Sequence, residues 1–139
     1  MNVAEVYAQL SSATRLKVGC VVVKNDTIIG IGYNGMPSGW DNMCEDIIEV
    51  HEDGGVVTRT KPETIHAEIN AISKVAKSTN SSEDATMFIT HAPCIECAKA
   101  LFQSGIRNVY YRDTYRNDDG VKFLKKCGVE IQQIKEEKT

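Results

Sequence analysis

The amino-acid sequence predicts a three-layer α/β/α domain, with a mixed five-stranded sheet and helices on both of its faces. Two observations lead to this fold class. Near the start, the β-branched runs Val18 to Lys24 and Thr27 to Tyr33 flank Asn25-Asp26, which predicts an antiparallel hairpin of buried strands. In the second half, short strand-like runs alternate with stretches of helical spacing, as in sheets whose strands are joined through helices. The 139 residues fit one domain, 1–139, with one core.

The first half contains one further predicted helix and two predicted loops. Val3 to Ala13 has apolar side chains at helical spacing, so it is expected to form an amphipathic packing helix. After the hairpin, three glycines and a proline in Gly32 to Trp40 favour a tight loop. Asp41 to Glu63 has no clear period and is predicted to be a long loop, which in a compact domain is usually functional or disordered. Cys44 lies in that stretch, either as an inert thiol or as a metal ligand.

The second half is predicted to contain three helices and three strands. Glycines close two of the helices, and a proline stands immediately before one of them. In chain order, these elements are a helix from His66 to about Lys77, a strand from Ala85 to Thr90, a helix from Cys94 to about Ser104, a strand from Val109 to Arg112, a helix from Asp118 to Lys126 and a strand from Val129 to Ile134. Lys135 to Thr139 is expected to be a frayed tail.

Composition and charge narrow the classes of function. The net charge of −3 argues against a general nucleic-acid binder, because phosphate contacts dominate such binding and usually require a basic excess. Met1 to Leu10 lacks a long apolar run, and nothing resembles a spanning segment, so we expect a cytoplasmic protein that binds no membrane. In a reducing compartment Cys94 and Cys97 are expected to bind metal, whereas Cys20 and Cys127 are expected to pack in the interior.

Two short motifs, His66-Ala67-Glu68 and Pro93-Cys94-Ile95-Glu96-Cys97, each stand where a helix should begin. One imidazole and two thiolates give Zn²⁺ three ligands and leave a fourth position for water, as in catalytic sites. Glu68 then stands close enough to transfer protons without binding the metal. H-x-E followed by P-C-x-x-C is the signature of zinc nucleobase deaminases. The competing interpretation is a structural zinc with a fourth ligand such as Cys44 or His51.

An anionic part of a substrate would need cations or hydroxyl groups near this centre. The groups available near the hairpin entrance and the end of the fourth strand are Arg15, Lys17, Arg112, Tyr115 and Arg116. Each of them alone is equally compatible with a solvated surface position. His91 either lines a base pocket or is a hydrogen-bonded structural histidine.

Five segments make the chain similar to a known family over nearly its whole length. They are Lys17 to Val22, Gly30 to Pro37, His66 to Ile72, Ala92 to Lys99 and Tyr111 to Tyr115. On these segments the chain closely resembles the deoxycytidylate (dCMP) deaminases, a branch of the cytidine deaminase superfamily. The zinc motifs are common to the superfamily, whereas the Gly-Tyr-Asn-Gly-Met-Pro loop and the asparagine after His-Ala-Glu-Ile point to the nucleotide branch.

The resemblance implies a cytidine-deaminase-like fold and the hydrolytic deamination of dCMP to dUMP, a step that supplies dTMP synthesis. It implies that His66, Cys94 and Cys97 bind one catalytic zinc ion and that Glu68 transfers protons. The substrate-binding residues that it implies are Asn34 at the sugar, Arg15 and Tyr115 at the 5′-phosphate, and Ala67. Some relatives hold a second, structural zinc, but Thr64 stands at one of its ligand positions here, so a single zinc is predicted.

The resemblance also implies regulation and assembly. Members of the family are often homohexamers that are activated by dCTP and inhibited by dTTP, each with Mg²⁺. The effector site implied for this chain includes Asn34, Gly35, Met36 and Asn70. The expected partners are therefore dCMP, the two effectors and further copies of the chain, without nucleic acid.

Three other functions compete with this one. A nucleic-acid deaminase of the tRNA-adenosine type is disfavoured by the acidic net charge. A deaminase of free cytidine is disfavoured if Arg15 and Tyr115 bind a phosphate. A catalytically inactive nucleotide-binding sensor of the same fold is disfavoured by the intact Glu68.

Overall fold

The computed structural model describes residues 1–135 and contains four helices and seven strands within them. The helices are α1 Asn2–Ala8, α2 Ala67–Ala76, α3 Ile95–Gln103 and α4 Asp119–Lys126. The strands are β1 Gly19–Lys24, β2 Thr27–Tyr33, β3 Glu45–Val50, β4 Val56–Thr60, β5 Thr86–His91, β6 Asn108–Asp113 and β7 Glu130–Gln133. Apart from Lys135, the predicted tail lies outside the described residues.

Five of the strands form one mixed sheet in the order β2-β1-β5-β6-β7. Strand β1 is antiparallel to both β2 and β5, whereas β5, β6 and β7 are parallel neighbours. Parallel neighbours require a crossover connection, and α3 and α4 lie in the two crossovers. The predicted mixed five-stranded sheet is confirmed.

The alternation of side chains along β1 directs neighbouring residues to helices on opposite faces of the sheet. Gly19 meets α1, because a Cβ atom there would lie 2.1 Å from the carbonyl oxygen of Ala4. The next side chain points to the other face, where the Cys20 sulfur lies 3.2 Å from the carbonyl oxygen of Ala67 at the start of α2. On β2, a Cβ atom on Gly32 would lie 2.1 Å from that same oxygen. This close approach fixes the N-terminus of α2 on the sheet.

The core lies largely between the sheet and helices α2, α3 and α4. Its cluster of buried residues includes Met87, Leu101 and Leu124. Cys20 belongs to this cluster and Cys127 packs against it, so the predicted packing roles of both thiols are confirmed. None of the helices in residues 1–135 has the length and apolar character needed to cross a membrane.

Helix α1 ends at Ala8, not at Ala13 as predicted. The Ser11 hydroxyl donates to the carbonyl oxygen of Asn34 at 2.8 Å and accepts from the N–H of Ala13 at 3.2 Å. Serine side chains that bind the local backbone in this way compete with helical hydrogen bonds. The chain between α1 and β1 is consequently irregular.

The stretch from Asp41 to Glu63 is not a loop, and the sequence-based prediction for it was wrong. It forms the β3–β4 hairpin, an antiparallel two-stranded sheet separate from the main one. The turn has Gly54 at a φ of +87°, and the Gly55 N–H donates to the Asp53 carboxylate at 2.8 Å. Most side chains of the hairpin are exposed, so no regular alternation of apolar and polar residues marks its strands.

Candidate active site

The N-termini of α2 and α3 bring three potential metal ligands together. His66 is the N-cap residue of α2 and Cys94 is the N-cap residue of α3, both with extended backbone angles. Cys97 follows in the first turn of α3. The Nδ1 atom of His66 lies 3.6 Å from the Sγ atom of Cys94 and 3.3 Å from that of Cys97. The structure thus brings the three predicted ligands to one point.

These distances fit a tetrahedral Zn²⁺ ion. With Zn–S bonds of about 2.3 Å and a Zn–N bond of about 2.0–2.1 Å, a tetrahedron separates nitrogen and sulfur ligands by about 3.5 Å. The observed separations of 3.3 and 3.6 Å bracket that value, and all three ligand atoms lie within 4.8 Å of one another. Within residues 1–135, neither Cys44 nor His51 belongs to this group. An ion held by these three ligands alone would keep a fourth coordination position for water.

The pKa values of the Cys94 and Cys97 thiols are shifted in opposite directions. The hydrogen bond from the Cys97 thiol lowers the pKa of Cys94 to about 4. The same bond, with burial and the nearby Glu68 carboxylate, raises the pKa of Cys97 well above its usual range. The hydrogen bond with Cys94 also raises the pKa of His66. Because zinc binds thiolates and neutral imidazole, metal binding here would release protons.

Glu68, in the first turn of α2, is the buried acid of the site, with 4% of its surface exposed. Burial raises the pKa of its carboxyl to about 7, against the lowering effect of its own backbone N–H and of His66. A bound divalent cation would lower that pKa. A carboxyl group that titrates near the working pH both accepts and donates protons readily, as proton transfer requires.

A cavity of about 130 Å³ opens beside these groups, with His66, Glu68 and Cys94 in its wall. All four residues predicted to bind substrate also line it: Arg15, Asn34, Ala67 and Tyr115. His91 is part of the wall as well, and its Nε2 atom lies 3.6 Å from the Asp113 carboxylate. His91 thus has the partner expected of a structural histidine, and its role at a base stays a prediction.

A wider recess of about 740 Å³ adjoins the cavity. Arg15 and Tyr115 line both spaces, while Arg59 and Arg116 lie in the wall of the recess. The Arg116 guanidinium lies 5.4 Å from the centre of the Tyr115 ring, over its face. The recess thus collects three guanidinium groups, which bind phosphate oxygens well because of their planar set of donors.

Two of the candidate cations, Arg112 and Lys17, line neither the cavity nor the recess as the described residues define them. Arg112 pairs with Glu5 of α1 and, at 2.9 Å, with the carboxylate of the neighbouring Asp113. These contacts hold α1 against β6. Of the five candidates named from sequence, Arg15, Tyr115 and Arg116 are the ones that line the cavity or the recess.

Asn34 is held by the backbone on both sides of its amide group. Its Oδ1 atom accepts from the Val18 N–H at 2.9 Å, and its Nδ2 atom donates to the carbonyl oxygen of Leu16 at 2.8 Å. An amide group has one further acceptor site and one further donor hydrogen. Asn34 thus fixes the chain before β1 and keeps hydrogen-bonding capacity for a ligand in the cavity.

The other residues predicted for an effector site lie outside the cavity lining. Gly35 forms an isolated backbone bridge with Ile65, immediately before His66. The Asn70 side chain donates to the carbonyl oxygen of Tyr33 at 2.9 Å. The sulfur of Met36 accepts a 3.4 Å hydrogen bond from the Thr64 hydroxyl. These contacts connect the glycine-rich loop to α2 and to the segment that leads into it.

Sequence reasoning missed the contribution of the β3–β4 hairpin to the cavity wall. Glu45 and Thr60, which pair with each other at the open end of the hairpin, both line the cavity. The signal that could have revealed the hairpin is Asp53-Gly54-Gly55, a turn sequence between two β-branched runs.

Cys44, just before β3, is fully buried, and its sulfur lies 3.5 Å from the Ser12 hydroxyl.

The His-x-Glu and Pro-Cys-x-x-Cys motifs, joined here at one cavity, are characteristic of the zinc-dependent nucleobase deaminases as a class. The family model for the cytidine and deoxycytidylate deaminase zinc-binding region matches residues 1–113. The chain belongs to this family, and to its deoxycytidylate deaminase branch, and it is an enzyme.

Relatives in phages and in humans support this assignment. Deoxycytidylate deaminase of Enterobacteria phage T4 is 33% identical over 96% of this chain and 87% of the relative. The human deoxycytidylate deaminase is 37% identical over 86% of this chain and 66% of the relative. The crystal structure of the dCMP deaminase from cyanophage S-TIM5, in complex with dCMP and dUMP, has a TM-score of 0.84 and 43% identity. It aligns with 96% of this chain and 92% of its own.

Proposed function

We propose that this chain hydrolyses dCMP to dUMP and ammonia with one zinc ion held by His66, Cys94 and Cys97. The observation that carries the proposal is a single cavity whose wall includes two of the metal ligands, His66 and Cys94, together with Arg15 and Tyr115. A nucleotide has both a base and a phosphate, so it needs both kinds of group in one site.

When bound, zinc supplies Lewis acidity that makes a water molecule a hydroxide nucleophile at neutral pH. Glu68 accepts the proton from the attacking water and delivers it to N3 of the cytosine ring. It then takes the proton of the new hydroxyl group on C4 and transfers it to the amino group, so that the C4–N bond breaks and ammonia departs. The new C4–O bond remains as the carbonyl group of uracil. The position of Glu68 supports this role, because its buried carboxyl group lies in the first turn of the helix that His66 caps and shares the cavity wall with His66 and Cys94.

The remaining lining residues would orient the nucleotide. Arg15 and Tyr115 bind the 5′-phosphate, Asn34 binds the sugar, and the backbone of Ala67 contacts the base end beside Glu68. Two further guanidinium groups, of Arg59 and Arg116, strengthen the attraction for an anion. This arrangement favours a nucleotide over a free nucleoside.

Substrate choice tests this proposal. The zinc-loaded protein should release ammonia from dCMP much faster than from deoxycytidine. Arg15→Ala should lower kcat/KM for dCMP by about 10- to 100-fold, since a hydrogen bond to a charged group is worth about 1.5–3 kcal/mol. The variant should leave the slow reaction of deoxycytidine unchanged. Arg107→Ala is the matched control, because Arg107 is exposed and pairs with Asp84 away from the cavity. Equal rates on both substrates would contradict the phosphate role.

Regulation by nucleotides is part of the proposal, with dCTP as activator and dTTP as inhibitor, each with Mg²⁺. The effector site would include Asn34, Gly35, Met36 and Asn70. Support comes from the bridge between Gly35 and Ile65 and from the bond between Asn70 and Tyr33, because they link this loop to the helix that carries the metal ligand and the acid. A ligand that orders the loop could thereby alter the catalytic site.

Steady-state kinetics over a range of dCMP concentrations test this regulation. We expect dCTP–Mg²⁺ to lower the dCMP concentration at half-maximal rate, and dTTP–Mg²⁺ to raise it. Asn70→Ala should weaken both effects, because it removes the bond from α2 to the carbonyl oxygen of Tyr33. Rates that are unchanged by saturating effectors would exclude the regulatory part and leave the deaminase part intact.

We also propose that the chain assembles into a homohexamer in the cytoplasm. The β3–β4 hairpin supports this assembly, because the hairpin and the residues before it expose several large apolar side chains that association would bury. They are Ile47, Ile48, Val50 and Val56, with Trp40 and Met43 just before β3.

A further inference from the structure

The segment that carries Arg15 has no regular secondary structure of its own. It lies between the end of α1 and the start of β1, where neither a helix nor a sheet holds its backbone. The Arg15 side chain is also exposed, so packing alone does not fix it. A residue that must meet a substrate phosphate from such a segment needs other contacts to hold it in place.

The β3–β4 hairpin supplies those contacts from both of its strands. On β3, the Oε1 atom of Glu45 accepts hydrogen bonds from the backbone N–H groups of Thr14, at 2.8 Å, and Arg15, at 3.2 Å. On β4, the carbonyl oxygen of Thr58 accepts from the Nη1 atom of Arg15 at 3.0 Å. Arg15 is therefore held at its backbone by one strand and at its guanidinium group by the other.

We propose that Glu45 is a positioning residue for the substrate phosphate, acting through Arg15. This inference rests on the proposed function and assigns the hairpin a part in it. A carboxylate beside a phosphate site would repel the ligand, so its charge gives no direct benefit to binding. Its benefit is geometric, because one oxygen orders two consecutive N–H groups and thereby directs the Arg15 side chain into the space between cavity and recess.

Two substitutions of Glu45 distinguish the effect of its hydrogen bonds to the backbone from the effect of its negative charge. Glu45→Ala removes both hydrogen bonds and is expected to raise KM for dCMP by about tenfold with little change in kcat, since the loss amounts to about one charge-assisted hydrogen bond to the phosphate. Glu45→Gln keeps an acceptor oxygen and removes the negative charge, so it should recover most of the loss. Glu49→Ala, an exposed position on the same strand, is the matched control. A fall in kcat as large as the rise in KM, or no recovery with glutamine, would overturn the proposal.

A double-mutant cycle identifies the residue through which Glu45 acts. In an Arg15→Ala background the guanidinium group is absent, so Glu45→Ala should change KM no further. Equal effects of Glu45→Ala in the presence and absence of Arg15 would mean that Glu45 acts independently, and would reject the positioning role. Zinc content and the thermal unfolding midpoint of every variant establish that the compared proteins are folded.

Calorimetric titration with inorganic phosphate compares the phosphate affinities of the wild type and the Glu45 variants without any turnover of substrate. The zinc-loaded wild type should bind phosphate, Glu45→Ala should weaken the binding by the factor found for KM, and Glu45→Gln should restore it. If the wild type did not convert dCMP, the proposed function would fail, but these titrations would still decide the role of Glu45. Phosphate affinity that is equal in the wild type and Glu45→Ala, or no phosphate binding by the wild type, would reject it.

Discussion

Replacing Glu68 with glutamine is expected to reduce kcat for dCMP by about 10²- to 10⁴-fold, the usual contribution of a general acid–base group. Glutamine has nearly the same shape but neither accepts nor donates a proton, so N3 and the departing amino group lose their proton source. Because Glu68 lies outside the ligand group formed by His66, Cys94 and Cys97, zinc content should stay unchanged. Ammonia release and metal analysis on the same preparation measure both quantities.

The control for this substitution is Asp119→Asn, which makes the same carboxyl-to-amide change at an exposed position in the first turn of α4. It should retain full activity. If Glu68→Gln kept more than about a tenth of the wild-type kcat, another group would have to move the protons, contrary to the magnitudes expected of such catalysis. A loss of zinc together with activity would instead indicate that Glu68 supports metal binding.

Replacing Cys94 with serine is expected to abolish both zinc binding and activity. Serine is a much poorer zinc ligand than thiolate, and only His66 and Cys97 would remain. Stability should fall as well, because a metal that binds only the folded state stabilises it, by about 4 kcal/mol at 1,000 times its dissociation constant. Chelation of zinc from the wild type should lower the unfolding midpoint in the same way, and added zinc should restore it. Metal analysis, ammonia release and thermal unfolding test these three effects.

Cys127→Ser is the matched control, since this thiol is also partly buried but packs against the core away from the ligand group. Zinc content and kcat should both equal those of the wild type. If Cys94→Ser still held zinc at full occupancy, the ligand assignment would be wrong. A variant that held zinc but lost activity would point to a changed geometry at the open coordination position.

The elements that form the centre of the fold were predictable because their signals are local. The β-branched run of β1 and the periodicity of α2 and α3 reflect burial, and burial is what a sequence pattern records. Strand β2 was also predicted to be buried, but it lies at the edge of the sheet and its buried residues are Gly30 and Gly32. The proline before Cys94 indicated the start of α3. Both α2 and α3 begin one residue after the predicted first residue, because His66 and Cys94 are N-cap residues. The hairpin of β3 and β4 escaped because exposed strands have no such pattern.

The sequence by itself was enough to predict the chemistry, since the identity and spacing of His66, Glu68, Cys94 and Cys97 match the signature of zinc-dependent nucleobase deaminases. It also determined the class of fold, through hydrophobic periodicity. Only the tertiary structure decided which distant residues share the cavity with these groups. Glu45 and Thr58 lie 30 and 43 residues from Arg15 along the chain, and both are joined to it by hydrogen bonds that no local pattern encodes. The physical reason is that such contacts depend on how distant segments pack, whereas periodicity and capping depend on neighbours along the chain.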